Sequence, residues 1–264
     1  KKKKKSTPRS EWGEGSDQLQ KLCFFCHFIV RTYCIPCLTC YNIRMNTTTT
    51  ENVTARGLST IGTRNILGVF ALATAGELQE GLEWYHRANR VAAEIASAHG
   101  ISLETAAGVI AALSPNNRWE RNIVDAENII RVYSIGGAEE AMNVKVCTYG
   151  KMKDKAIQIL EAPSISHHED ILNGRKITAF YQCIIGCKDS CCIDGHAYSI
   201  WFGDRLTMKN VPNIGKKLYA EICSDYVEAA EILRETGSRF ADLTAYEVQA
   251  ITWVTWRRLH GISK

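Results

Sequence analysis

Several features that would point quickly to a function are missing from these 264 residues. There is no run of about 18 uncharged apolar residues, the length a bilayer-spanning helix needs, so no membrane-spanning segment is expected. No nucleotide-binding glycine pattern appears, and no internal period marks a repeat protein. Strand texture is scarce: Val144 to Tyr149 is the only β-rich run, and it is short. Basic charge is also scarce where a nucleic-acid-binding body would show it. Residues 1–44 carry nine Lys/Arg against three Asp/Glu, whereas the other 220 carry 23 against 25. The formal charge of +4 therefore belongs to one end of the chain. A basic face on the body has to come from local clusters, such as Arg118 with Arg121 or Arg175 with Lys176.

Cysteine is plentiful, but the spacing of a disulfide framework is absent. Five of the eleven Cys fall within residues 23–40 and four within 183–192. A chain of this length needs no staples, and free Cys beside apolar helices behaves as a small hydrophobe. A reducing, cytoplasmic setting is the expectation. The first cluster has two Cys-x-x-Cys pairs, Cys23 with Cys26 and Cys34 with Cys37. Together they could supply four thiolates to a tetrahedral zinc, although the loop between them is shorter than usual. The Lys1–Lys5 charge run reads as disordered. Residues 1–44 thus read as a basic, Cys-rich extension, either a small zinc knuckle or sequence upstream of a start at Met45. Residues 45–62 read as a linker and 63–264 as the folded domain.

That domain reads as all-α. Apolar residues recur at helical spacing over Asn65–Thr74, Leu82–His99, Ile123–Tyr133, Lys151–Glu161 and Ile214–Arg234. Gly100 supplies a C-terminal stop, Ser102 opens a helix that is apolar on every side to Leu113, and Gly136-Gly137 predicts a break. Thr244 with Glu247 forms the sequence of a capping box before a last helix. His167-His168-Glu169-Asp170 looks metal-binding, but four adjacent side chains cannot all face one ion, so a loop or helix start is expected there.

Two stretches carry chemistry. The first is Asn116-Asn117-Arg118-Trp119-Glu120-Arg121-Asn122, a loop dense in side chains that hydrogen-bond base edges, stack and meet phosphates. It reads equally as a polar loop anchored by one Trp. The second runs from Gly174-Arg175-Lys176 to Ile193-Asp194-Gly195-His196. If both segments open helices, Lys176 lies in a first turn, where the helix dipole disfavours an ammonium, and Asp194 is an N-cap held ionised by backbone N–H groups. An amine beside an ionised carboxylate can form and resolve imines. A thiol enzyme using Cys183 or Cys191 with His196 is a further reading, but it needs an electropositive niche that the sequence does not display.

The order Leu113-Ser114-x-Asn116, Lys155-Ala156 on a helix, Gly174-Arg175-Lys176 and Ile193-Asp194-Gly195-His196 resembles the helix-hairpin-helix DNA glycosylases of the endonuclease III type over roughly residues 103–206. The chain resembles still more closely an uncharacterised, largely phage-encoded family with the same Ala-Leu-Ser-Pro…Trp-x-x-Asn, Ile-Asp-x-His-Ala and terminal Gln-Ala-x-x-Trp pattern. The glycosylase resemblance implies a monomeric DNA glycosylase, with or without lyase activity, acting on a damaged or modified base in double-stranded or locally single-stranded DNA. It implies that Lys176 is the nucleophile at C1′ and Asp194 the essential carboxylate. Asn116 would fill the gap left by the flipped base, and Asn117, Arg118, Trp119, Arg121, Gly174, Arg175, Tyr181 and His196 would serve DNA or pocket. No iron–sulfur cluster is expected, since Cys223 is the only Cys after Cys192. The alternative is a non-catalytic nucleic-acid-binding or interaction protein on the same helical scaffold.

Overall fold

The computed structural model describes residues 59–188, 190–236 and 238–262. These belong to a compact unit spanning Gly57–Lys264. The Lys1–Lys5 charge run and most of the 45–62 linker lie outside the described residues. So does the expected zinc site, all four of whose ligands, Cys23, Cys26, Cys34 and Cys37, fall in the same undescribed stretch.

The described residues form an all-α protein of ten helices, with two short 3-10 turns and no strand. In chain order these are α1 (Ile61–Ala71), α2 (Ala75–His99), α3 (Leu103–Leu113), α4 (Trp119–Met142), α5 (Gly150–Glu161), α6 (His168–Leu172), α7 (Arg175–Ile184), α8 (Gly195–Phe202), α9 (Lys216–Arg234) and α10 (Ala245–Leu259). No single described helix is long and apolar enough to cross a membrane.

Helix ends are set by local side-chain chemistry. Thr74 and Thr244 each accept from the backbone N–H three residues on, and Glu77 and Glu247 accept the reciprocal bonds from the cap N–H. Ser102 caps α3 and Asp194 caps α8 in the same way. Gly100 ends α2 in the left-handed conformation at φ 67°. The expected break at Gly136-Gly137 is confined to Gly137 (φ 77°, ψ −167°), and helical hydrogen bonding resumes beyond it. The Val144–Tyr149 run forms no strand, because no second extended segment is there to pair with it among the described residues.

Two apolar clusters divide the unit. One gathers α2 to α7 around α3, whose residues Ala106 to Leu113 are all buried. The other gathers α1 and α8 to α10 around Ile66, Ile200, Tyr226 and Ile251. Each buries many aliphatic side chains, and burying a large one contributes about 1.5–3 kcal/mol. Helices α2 and α10 join the two clusters, and they do so at very close range. A Cβ at Gly81 would lie 2.5 Å from the Ile251 Cα, so only glycine permits the approach. A third, smaller cluster of Tyr85, Cys183, Cys192, Tyr246 and Ala250 fills the seam between them.

Candidate active site

At that seam opens a cleft of about 680 Å³. Its walls follow from helical periodicity. On α2, Glu80, Trp84, Arg87 and Val91 fall on one stripe; on α10, Gln249, Trp253 and Arg257 fall on another; on α7, Lys176 and Phe180 sit one turn apart. Residues 114–122, between α3 and the first turn of α4, supply a further edge, including Asn117, Arg118, Trp119 and Asn122.

The lining is strongly aromatic. Trp84 is the hub: its ring lies 4.9 Å from Tyr85, 5.2 Å from Trp119, 5.9 Å from Phe180 and 6.4 Å from Trp253, all at tilted or edge-on angles. Such contacts hold flat rings in fixed orientations. Trp84, Trp119, Phe180 and Trp253 are each only half-buried, so part of every ring faces the open volume. Arg257 lies over Trp253 at 4.5 Å. The charges bordering the cleft are Glu80, Glu120 and Asp194 against Arg87, Arg118, Lys176 and Arg257, so a modest local excess of positive charge exists on a near-neutral body.

Asp194 is tightly specified. Its Oδ1 accepts from His196 N at 2.9 Å and Ala197 N at 2.8 Å, and its Oδ2 accepts from Trp253 Nε1 at 3.2 Å. The loop that delivers it is held by Tyr219, whose hydroxyl donates to Cys191 O at 2.9 Å and accepts from Ile193 N at 3.0 Å. Burial pushes the Tyr219 hydroxyl far above its ordinary range, so it stays a donor. Lys176 occupies the first turn of α7, which starts at Gly174 without a side-chain cap. It is exposed, and among the described residues its amine has no hydrogen-bond or ion-pair partner.

Lys176 and Asp194 border one cleft. Both also line a shallower groove of about 360 Å³ that Gly174, Arg175, Gly195, Pro115 and Asn213 share, so the pair stands at the junction of two openings. The thiol of Cys192 senses both groups. Burial lifts it to about 12, the Lys176 ammonium pulls it down and the Asp194 carboxylate pushes it up.

The other expected residues divide. Asn117, Arg118, Trp119 and His196 border the cleft, and Gly174 and Arg175 border the groove. Asn116 borders neither: it takes a left-handed turn at φ 56° and hydrogen-bonds the Tyr149 hydroxyl. Arg121 is turned aside by Asp125, to which its Nε donates at 2.8 Å. Tyr181 is 3% exposed and points into the first apolar cluster, its hydroxyl 3.5 Å from His168 Nδ1. His168 is itself 1% exposed, so it is a core residue at the start of α6 rather than a loop residue. Among the described residues no group of three or more His, Cys, Asp or Glu is placed to hold a metal. That statement does not reach Cys23, Cys26, Cys34 and Cys37, which lie outside them. Cys183 and Cys191 do not border the cleft, and burial raises both thiols, which makes them poor nucleophiles.

Sequence reasoning missed Trp84, Phe180, Gln249 and Trp253 as site residues: Trp84 and Trp253 read as members of apolar helical stripes, and Gln249 entered only through the terminal Gln-Ala-x-x-Trp pattern. The available signal was polar and aromatic residues repeating at four-residue steps on one face, as in Gln249, Trp253 and Arg257.

No curated protein and no solved structure matches the chain. Residues 47–260 match a model described as "Family of unknown function (DUF7178)", and the chain therefore belongs to that family.

Proposed function

We propose that the protein is a DNA glycosylase, with lyase capacity, that excises a damaged or modified base after flipping it into the aromatic cleft. The observation that carries this reading is the Lys176–Asp194 pair bordering one aromatic-walled cleft of about 680 Å³, room enough for an extruded base. Flat half-exposed rings suit an extruded base, which must leave the stack before any group reaches its glycosidic bond. The helix-hairpin-helix architecture is part of the same proposal: α6, the turn at Asn173-Gly174 and α7 form the short helix–turn–helix from which Lys176 projects. Asn173 takes φ 39° there, a conformation Asn tolerates.

The chemistry runs as follows. The Lys176 amine, once deprotonated, attacks C1′ as the bond from C1′ to the base nitrogen breaks, and the bonding pair leaves with the base, which takes up a proton. Asp194, held by three N–H donors, offsets positive charge developing on the sugar. The attached nitrogen, now carrying two protons, gives one up; its freed lone pair forms the C1′=N bond as the C1′–O4′ bond breaks, and O4′ leaves with the bonding pair and takes up a proton as a hydroxyl, giving a protonated imine. In the groove beside the pair, Arg175 and the uncapped start of α7 are available to the phosphate backbone.

The test is borohydride trapping on a panel of modified-base duplexes, with base release measured in parallel. A covalent adduct lost in Lys176→Ala is the expected result. Binding with neither adduct nor base release across the panel would instead support a non-catalytic binding module.

A further inference from the structure

The cleft is longer than the part of it that the Lys176–Asp194 pair occupies. On α2 its wall runs from Glu80 to Val91, eleven residues and about 16 Å at 1.5 Å per residue. Side-chain contacts fix which end holds the pair. Helix α7 runs beside α2 in the same direction: the Phe180 ring lies 5.9 Å from Trp84 and 6.4 Å from Tyr85, and farther along Asn89 Nδ2 donates to Ile184 O at 2.9 Å. Lys176, one turn before Phe180, therefore lies toward Glu80. Val91 lies the other way, seven residues and about 10 Å beyond Trp84 along the helix. That far section has its own aromatic wall. The Trp119 ring lies 5.2 Å from Trp84 and 6.5 Å from Phe180, and Val91, Trp119 and Phe180 all pack against the first apolar cluster. It also has its own cations: Arg87 falls between Trp84 and Val91 on the α2 stripe, Arg118 immediately precedes Trp119, and both are exposed.

Aromatic side chains interspersed with cations are the lining that grips single-stranded nucleic acid, because bases stack on the rings while phosphates meet Arg or Lys. One base seated at Lys176 does not span a wall of about 16 Å, and stacked nucleotides of one strand are about 3.4 Å apart, so a neighbour fits in the same cleft. We infer that the cleft takes consecutive nucleotides of one unpaired strand, one base at the Lys176–Asp194 pair and its neighbour against Trp119 and Phe180, so that single-stranded or locally opened DNA is preferred to intact duplex. This rests on the base-excision reading in placing the first base. A duplex gives up one base by flipping, but filling the far section means breaking a further pair, at about tenfold in affinity for each stacking step lost. The near-neutral body fits the same preference, since it offers little of the phosphate neutralisation on which duplex binding depends.

Fluorescence anisotropy of the full chain with a short labelled DNA strand of mixed sequence, at one fixed salt concentration, is the test. The free strand should bind about tenfold or more tightly than the same strand in duplex, with a mismatched bubble in between. Among unlabelled thymidylates used as competitors, the dinucleotide should bind at least about fivefold more tightly than the mononucleotide. Trp119→Ala and Arg118→Glu should each pull both ratios toward one. Arg118 is exposed, so its reversal leaves the aromatic packing intact and a folding defect does not account for its effect. A preference that survives both substitutions belongs to another surface, residues 1–44 included, and would overturn the inference. So would duplex binding as tight as the free strand, no binding of either, or equal affinity for mono- and dinucleotide. In any of these cases base release from duplexes would leave excision standing. A single-strand preference that both variants abolish, with no base release from strand or duplex, would retain the recognition and remove the excision chemistry.

Discussion

Two corners of the cleft are each organised by an aspartate that accepts three hydrogen bonds, and they differ in what is left open. At the α3–α4 corner, Asp125 is 0% exposed and takes Asn117 Nδ2, Arg121 Nε and Cys147 N. The Asn117 and Cys147 contacts tie flanking segments to α4, the Arg121 contact is a one-turn pair within α4, and the carboxylate touches neither cavity. At the α7–α8 corner, Asp194 takes His196 N, Ala197 N and Trp253 Nε1, yet it borders both the cleft and the groove beside an unpartnered lysine. Equal satisfaction of a carboxylate therefore says little about its role. What separates the two is whether a charge so held still faces a volume that another molecule can enter.

The sharpest way to break this comparison is to neutralise each aspartate in turn. Asp194→Asn keeps an oxygen able to cap α8, and Asn caps helices about as well as Asp. Its melting temperature should stay close to that of the unmodified protein, while base release should fall by a factor on the order of 10³, the scale seen when a preorganised electrostatic contact is removed. Retained activity would remove Asp194 from the chemistry. Asp125→Ala should do the reverse. The Arg121 side of the pair is 53% exposed and contributes little, but the Asn117 amide and Cys147 N–H lose their acceptor. A loss of about 2 kcal/mol is expected, a fall of roughly 4–8 °C in thermal midpoint for a domain of this size. Calorimetry or circular dichroism melts would check it, and an unchanged midpoint would show that the corner is not held by Asp125.

How much of this is legible in the chain follows the same division. Caps are local, so Ser102, Asp194 and the Thr244–Glu247 box can be placed from the sequence alone, and so can the paired positions of Lys176 and Asp194. Periodicity places the start of α2 at Leu82, seven residues late, although Thr74 and Glu77 spell a capping box, because Gly76 and Gly81 weaken the helical pattern. Gly81 is there for a tertiary reason, the close pass of Ile251, which no local pattern contains. The cleft walls are hidden for a related reason. Periodicity finds a buried face but not whether that face meets side chains or an open volume, so Trp84 and Trp253 are indistinguishable from core. Phe180 and Tyr181 show the limit most clearly. They are neighbours on α7, and the roughly 100° step between adjacent helical residues puts Phe180 on the cleft and Tyr181 against His168.

Trp253 joins the two halves of the comparison, since it is at once a wall of the cleft and a donor to Asp194. Trp253→Phe separates these roles, keeping a ring on the α10 stripe while deleting the N–H that reaches Oδ2 at 3.2 Å. Two backbone N–H bonds would still hold Oδ1, so the carboxylate keeps its place on α8 but loses the contact that fixes its rotation. Losing one hydrogen bond to a charged group at a partly open site should slow base release about tenfold, with duplex affinity changed much less. Single-turnover rates measured beside binding isotherms make the distinction. If Trp253→Phe instead weakens binding and leaves the single-turnover rate intact, the indole acts only as a stacking wall, and Asp194 is oriented by the start of α8 alone.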